Sequence, residues 1–231
     1  MMKVCSRKST YCFSWTGLGA NDERQLRCIS KSDGKAKVLV IGNSFAYRTF
    51  PVLHKIFAGR YAELRLFTRS SRMFLNRDPK DSEFIYSDKA KEVITKSKPD
   101  IVFVIEKDMN ADQNKPVVGQ LKDDQNYIFT QDRVKFLSEN VGTVVIDDQF
   151  YKPPGEAVTK TIVDRLKAGK IAASDFQDLK IERSKYLEEY KFNIMRFDSL
   201  IGTNVVKNKV EEQLCDNKYC CFYNPTNLHS Y

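Results

Sequence analysis

Hydrophobic positions along this chain follow two alternating rhythms. Lys37-Val-Leu-Val-Ile41 is a continuous β-branched run that stops at Gly42, the pattern of a strand buried on both faces in a parallel sheet. Phe45 to Ala58 follows with Phe45, Leu53, Ile56 and Phe57 at helical spacing, and Pro51 falls near its first turn or kinks it. Glu63-Leu-Arg-Leu-Phe67 alternates like a strand, and Tyr86 to Lys98 is helical, with Ala90, Val93 and Ile94 on one face. Asp100-Ile-Val-Phe-Val-Ile105 is the clearest buried strand. Gln125 to Asn140 then carries Ile128, Val134, Phe136 and Leu137 on a helix, and Thr143-Val-Val-Ile146 is a fourth strand. Two more helices are predicted, Glu156 to Lys167 and Asp175 to Leu200. The second places Phe176, Leu179, Tyr186, Leu187, Tyr190, Ile194 and Phe197 on one broad face, and Asn204-Val-Val-Lys207 is a short fifth strand.

Strands alternating with helices imply an α/β fold, a three-layer α/β/α sandwich with a mainly parallel sheet. The strands at Val38–Ile41, Leu64–Phe67, Ile101–Ile105 and Thr143–Ile146 should be parallel neighbours joined by right-handed crossovers. Ligands of such sheets sit beyond the carboxyl ends of the strands. Residues 1–36, with Gly17, Gly19, Asn21, Asp33 and Gly34, read as an irregular N-terminal segment, leaving 37–231 as the domain. Asn110 to Asp124 is polar and aperiodic, a surface loop.

A chain of 231 residues supports one sizeable core, and 42% hydrophobic with 29% charged residues excludes wholesale disorder. No apolar run approaches a membrane-spanning length, and Met1 to Thr16 lacks the apolar centre of a signal peptide. The net charge of +8 does not imply nucleic acid. Lysines and acids alternate, as in Lys180, Glu182, Arg183, Lys185, Glu188 and Glu189, which is a solvated helix face rather than a basic stripe. The six cysteines cluster at the ends: Cys5, Cys12 and Cys28, then Cys215, Cys220 and Cys221. No C-x-x-C pair suggests zinc. Cys215-Asp-Asn-Lys-Tyr-Cys220 could close a small disulfide loop, with reduced thiols as the alternative. End-clustered cysteines suit the stapling of loose termini in an oxidising compartment.

Chemistry concentrates at Val38-Leu-Val-Ile-Gly-Asn-Ser-Phe45. A buried strand runs straight into Gly42-Asn43-Ser44 and then into a helix. A serine at such a corner sits beside a helix N-terminus, where backbone N–H groups can face an oxyanion. The plain structural role is an Asn or Ser N-cap. Neither a G-x-G-x-x-G loop nor a P-loop lysine is present, so no nucleotide cofactor is expected.

This run resembles the first block of SGNH (GDSL-like) hydrolases. Several stretches together resemble the SGNH domain appended to animal membrane acyltransferases of the acyltransferase-3 family. They are Lys37 to Ala46; Phe67-Thr-Arg-Ser-Ser71; Lys98-Pro-Asp-Ile-Val-Phe-Val104; Tyr186 to Leu200; and Cys215 to Tyr231. The resemblance implies an O-acyl esterase or O-acyltransferase acting on an acyl ester or acylated carbohydrate, without cofactor or metal. It makes Ser44 the nucleophile and its N–H the first oxyanion donor. The second donor falls on Ser70 or Ser71. Glu106-Lys-Asp-Met-Asn110 stands where the family has Gly-x-Asn-Asp, so Asn110 is a candidate side-chain donor or an ordinary loop amide. The resemblance also implies a small loop closed by a Cys215–Cys220 disulfide and an extracytoplasmic location.

The family's Asp-x-x-His block does not occur in these residues. Of the two histidines, His54 lies on the helix after Ser44, roughly 15 Å along it at 1.5 Å per residue, and His229 has Thr226 three residues before it. The expectation is a C-terminally truncated domain, active or degenerate, that meets a membrane only through an N-terminal transmembrane domain outside this sequence.

Overall fold

The structure is a computed structural model and describes residues 10–14, 25–75, 85–107, 114–148, 158–170, 172–221 and 223. Its strands are β1 (Thr10–Ser14), β2 (Gln25–Lys31), β3 (Ala36–Gly42), β4 (Tyr61–Arg69), β5 (Ile101–Ile105), β6 (Thr143–Asp147), β7 (Lys180–Glu182), β8 (Val205–Asn208) and β9 (Tyr219–Cys221). Its helices are α1 (Ser44–Ile56), α2 (Ile85–Ser97), α3 (Gln125–Asn140), α4 (Val158–Lys167), α5 (Arg183–Glu189), α6 (Lys191–Asp198) and α7 (Val210–Leu214).

The main sheet runs β1-β2-β4-β3-β5-β6-β8. From β4 to β8 every pairing is parallel. The strands expected to be parallel neighbours are so, and the fifth strand joins them. β1 and β2 extend the sheet antiparallel beyond β4. This corrects the reading of residues 1–36 as irregular: the described part of that segment includes two strands. In β2, Arg27, Ile29 and Lys31 alternate with Leu26, Cys28 and Ser30, so neither set is cleanly apolar and the period-two signal is lost.

β3 shows why an uninterrupted apolar run is needed at the sheet's centre. Leu39 and Ile41 enter the core under α2 and α3, while Val38 and Val40 enter the core under α1. The sheet thus lies between helical layers. Burial on the α1 side falls along one cross-strand row. Val40 is fully buried, Phe103 and Val145 are half-buried, and Val206 is 52% exposed.

The single helix expected over Asp175 to Leu200 is instead a 3-10 turn (Ala173–Leu179), β7, α5 and α6. Of the expected apolar face, Phe176, Leu179, Tyr186, Tyr190 and Phe197 are buried, while Leu187 and Ile194 pack partly buried against the core. The break arises because β7 pairs antiparallel with β9, and Arg183 N–H donates to the Lys218 carbonyl at 2.8 Å. Pairing partners 37 to 41 residues away in sequence override local helical spacing.

A buried ion pair ties α6 to the start of α3. Arg196, 4% exposed at its side chain, donates through Nε to Asp124 Oδ1 at 2.9 Å and through a terminal nitrogen to Oδ2 at 2.7 Å. Asp124 also caps α3 by accepting the Tyr127 N–H at 2.8 Å. The Arg196 hydrogen bond, helped by that N–H and opposed by burial, holds the Asp124 carboxyl below its usual range. A carboxyl with a lowered folded value contributes stability that is complete above its unfolded value of about 3.9 and fades as pH falls through the folded value. Asp124→Asn keeps a good cap but removes the charge. The variant should be less stable near neutral pH by roughly 3 kcal/mol. Melting curves of both proteins should converge once pH falls below the lowered folded value of Asp124; a gap independent of pH would exclude the ion pair as its cause.

Candidate active site

Gly42 ends β3 with φ 141°. A Cβ there would lie 1.9 Å from the Ile105 carbonyl oxygen, so only glycine allows β3 and β5 to approach at this point. Behind the corner, the buried Tyr86 hydroxyl accepts the Gly42 N–H at 2.9 Å. Its proton is directed to the carbonyls of Gly42 and Phe67, at 2.9 and 3.2 Å. Burial, with the charge of Glu106 second, pushes the Tyr86 phenol far above its ordinary range, so it remains a donor at any physiological pH.

Asn43 is fully buried and is the N-cap of α1. Its Oδ1 accepts the Phe45 N–H at 3.2 Å, and its Nδ2 donates to the Lys107 carbonyl at 2.9 Å. The structural role open to the corner is therefore filled by Asn43, and Ser44 is the first helical residue. Ser44 is half-buried, and among the described residues no hydrogen bond engages its hydroxyl. No acidic side chain occupies the first turn of α1, leaving the partial positive charge of that terminus uncompensated from within the helix.

The register brings further groups to the same edge, because Gly42 lies opposite Thr68 on β4 and Ile105 on β5. After Thr68, the chain turns through Ser70 and Ser71, with Arg72 N–H donating to the Arg69 carbonyl at 3.2 Å. Both serines are exposed, and Ser71 adopts φ 58°, a left-handed turn geometry uncommon outside glycine. After Ile105 comes Glu106, 3% exposed, whose oxygens accept the N–H groups of Phe74 and Leu75 at 2.7 and 2.8 Å. Glu106 and Lys107 thus hold both the loop that follows the serine turn and the Asn43 cap. Asn110 lies outside the described residues.

Farther along the edge, Asp147 ends β6 and accepts from Asn208 Nδ2 at 2.8 Å. Burial raises the Asp147 carboxyl above its ordinary value against that hydrogen bond. It stands two strands from β3, about 10 Å at usual strand spacing. His54 is not at this edge. Its Nε2 is 3.0 Å from Ser30 Oγ, and its ring is 6.1 Å from Tyr61, the first residue of β4. Thr68, beside the corner, is roughly 20 Å up that strand. His229 lies outside the described residues.

Among the described residues no cluster of three or more His, Cys, Asp or Glu side chains could hold a metal, and no helix is long and apolar enough to cross a membrane. Cys215 and Cys220 form a disulfide, Cys28 is also disulfide-bonded, and Cys221 is a free, half-buried thiol. Glu106 and Tyr86 were not singled out in the sequence. The only hint for Glu106 is a carboxylate placed directly after an apolar strand, and Tyr86 looks like any core aromatic.

A family model for the SGNH domain fused to AT3 domains matches residues 11–231. The chain belongs to this family. No curated protein matches it. Among solved structures, the N-formylmaleamic acid deformylase Nfo of Pseudomonas putida is similar at 10% identity and a TM-score of 0.32, over 84% of this chain and 75% of that one. Within this SGNH domain, the Gly42-Asn43-Ser44 corner occupies the carboxyl end of a central parallel strand, flanked by the ends of β4 and β5.

Proposed function

We propose that this SGNH domain performs acyl-ester chemistry through Ser44, as an O-acyl esterase or an O-acyltransferase toward carbohydrate hydroxyls. The observation that carries the reading is the unengaged, half-buried Ser44 hydroxyl at a helix N-terminus whose capping role Asn43 has taken. In this reading Ser44 Oγ attacks the acyl carbonyl while its proton passes to a base. The tetrahedral oxyanion is met by the Ser44 N–H and a donor from the Ser70–Ser71 turn, with Asn110 as a further candidate. Collapse expels the alcohol, which takes the proton, and leaves an acyl-serine. Water then releases the acid, or a sugar hydroxyl takes the acyl group. The disulfides at Cys28 and Cys215–Cys220 favour an extracytoplasmic setting.

The test is to incubate the chain with p-nitrophenyl acetate, with and without an oligosaccharide acceptor, and locate trapped acyl groups by mass spectrometry. An acetyl group on Ser44 is expected. Acylation confined to other residues would overturn the assignment.

A second reading, a non-catalytic SGNH-fold domain, is favoured by two observations. Glu106 replaces the usual third block and commits both oxygens to backbone N–H groups. The one described histidine bonds Ser30 near the opposite end of the sheet. Absence of any Ser44 acylation, including in a chain extended through an Asp-x-x-His segment, would select this reading.

A further inference from the structure

A cleft of about 500 Å³ opens between α2 and the sheet face formed by β2, β4 and β3. It lies on the face of the sheet, away from the edge that carries Ser44. Its floor is apolar, formed by Ile29, Leu39, Phe67 and Val93. Its walls carry four cations, Arg27, Lys37, Arg65 and Lys96, against two carboxylates, Glu63 and Glu92. Both carboxylates are already engaged: Glu63 pairs with Arg65, and Glu92 accepts from Lys89 and Lys96. Among the described residues the lining therefore carries two positive charges more than negative ones.

The arrangement of the cations points the same way. Arg27 lies opposite Phe67, and Ile29 opposite Arg65, so Arg27 and Arg65 are diagonal neighbours on one sheet face. Diagonal positions lie within reach of long side chains, so both guanidinium groups can border one ligand head. The Arg27 guanidinium is held over the Phe67 ring, 4.7 Å from its centroid, and is half-buried. Burial pulls it below its usual value, Glu92 pushes it back up, and Arg65 pulls it down again. A guanidinium packed on an aromatic floor, beside a second cation, suits a planar anionic head with an apolar body behind it. The volume fits a small ligand.

We propose that this cleft binds a small organic anion with a flat or short apolar body, its anionic head set between Arg27 and Arg65. The inference does not depend on Ser44 chemistry.

The test uses the disulfide-intact chain and a matched pair of probes, 2-naphthoate and its neutral analogue 2-naphthamide. Binding is measured by titration calorimetry, and the contacted residues are mapped by NMR amide shifts. Naphthoate should bind at a single site at least tenfold tighter than the amide, with shifts confined to β2, β4 and α2. Arg27→Gln should erase that preference. Lys37→Gln, at an exposed position on the rim, should weaken naphthoate by roughly two- to fivefold and keeps the proposal testable if the Arg27 variant misfolds. Lys135→Gln, on an exposed position of α3, should change nothing. Equal affinity for the two probes, no binding, or shifts that map instead to the half-open row at Phe103, Val145 and Val206 would overturn the proposal.

Discussion

Replacing Glu106 by alanine should cost the SGNH domain about 3–5 kcal/mol of stability. Each buried backbone N–H left without an acceptor costs roughly 1–3 kcal/mol. Glu106 satisfies two of them, at Phe74 and Leu75, both in segments almost wholly buried. For a chain of this length, each kcal/mol lowers the melting temperature by about 2–4 °C, so the transition should fall by roughly 6–20 °C. Glu106→Gln should lie between, because it keeps one carbonyl acceptor but turns an amide donor toward the other N–H. The effect should also be local. Hydrogen exchange at Met73, Phe74 and Leu75 should accelerate before exchange in β3 or β5 does. A Glu106→Ala protein that melts with the parent, or whose exchange changes evenly throughout, would show that the loop is held by something else. The carboxylate has a consequence for the corner as well. Lys107, next in the chain, anchors Asn43, so disorder in the Glu106 loop reaches both the cap that positions Ser44 and the turn beyond β4.

How legible the site and fold were depends on where the determining contact lies. β3 is buried on both faces, β5 and β6 are buried on one face and half-buried on the other, and all three read as apolar runs. The boundaries of α3 follow from Asp124 as its cap and from local spacing. The Gly42-Asn43-Ser44 corner is visible because a strand end, a glycine and a helix start adjoin in the chain. What was missed depends on partners distant in sequence. β2 exists because β4 offers it an edge, and α5 is separated from the preceding 3-10 turn because β7 pairs with β9 beside the Cys215–Cys220 bridge. Glu106 holds residues 31 and 32 positions earlier. Tyr86 serves the corner from 44 residues away, through a hydroxyl that no pattern of apolar positions can reveal. The charged cleft was invisible for a related reason. Arg27 and Arg65 become neighbours only once β2 and β4 pair in this register.

Ser44→Ala should leave the fold intact, and the size of any loss of ester turnover should depend on which residues accompany Ser44. The Ser44 hydroxyl makes no hydrogen bond to a described residue, and Asn43 keeps the cap, so alanine at the first helical position should leave the melting temperature within about 2 °C. Activity is another matter. A serine hydroxyl is a weak nucleophile at neutral pH, and a positioned base contributes about two to four orders of magnitude in rate. His54 is occupied with Ser30, ten residues and roughly 15 Å along α1 from Ser44. His229 has Thr226, not an aspartate, three residues before it. The 231-residue polypeptide tested by itself should therefore turn over small acyl esters slowly, and Ser44→Ala should lower that rate only modestly. In a chain that continues through an Asp-x-x-His segment, ester turnover should rise by at least a hundredfold, and Ser44→Ala should then abolish nearly all of it. Measuring kcat/KM for both polypeptides, each with and without the substitution, separates the cases. Fast, Ser44-dependent hydrolysis by the 231 residues alone would mean that they contain the base, and His229→Ala would be the next variant to make. Fast hydrolysis that survives Ser44→Ala in the longer chain would remove Ser44 from the mechanism altogether.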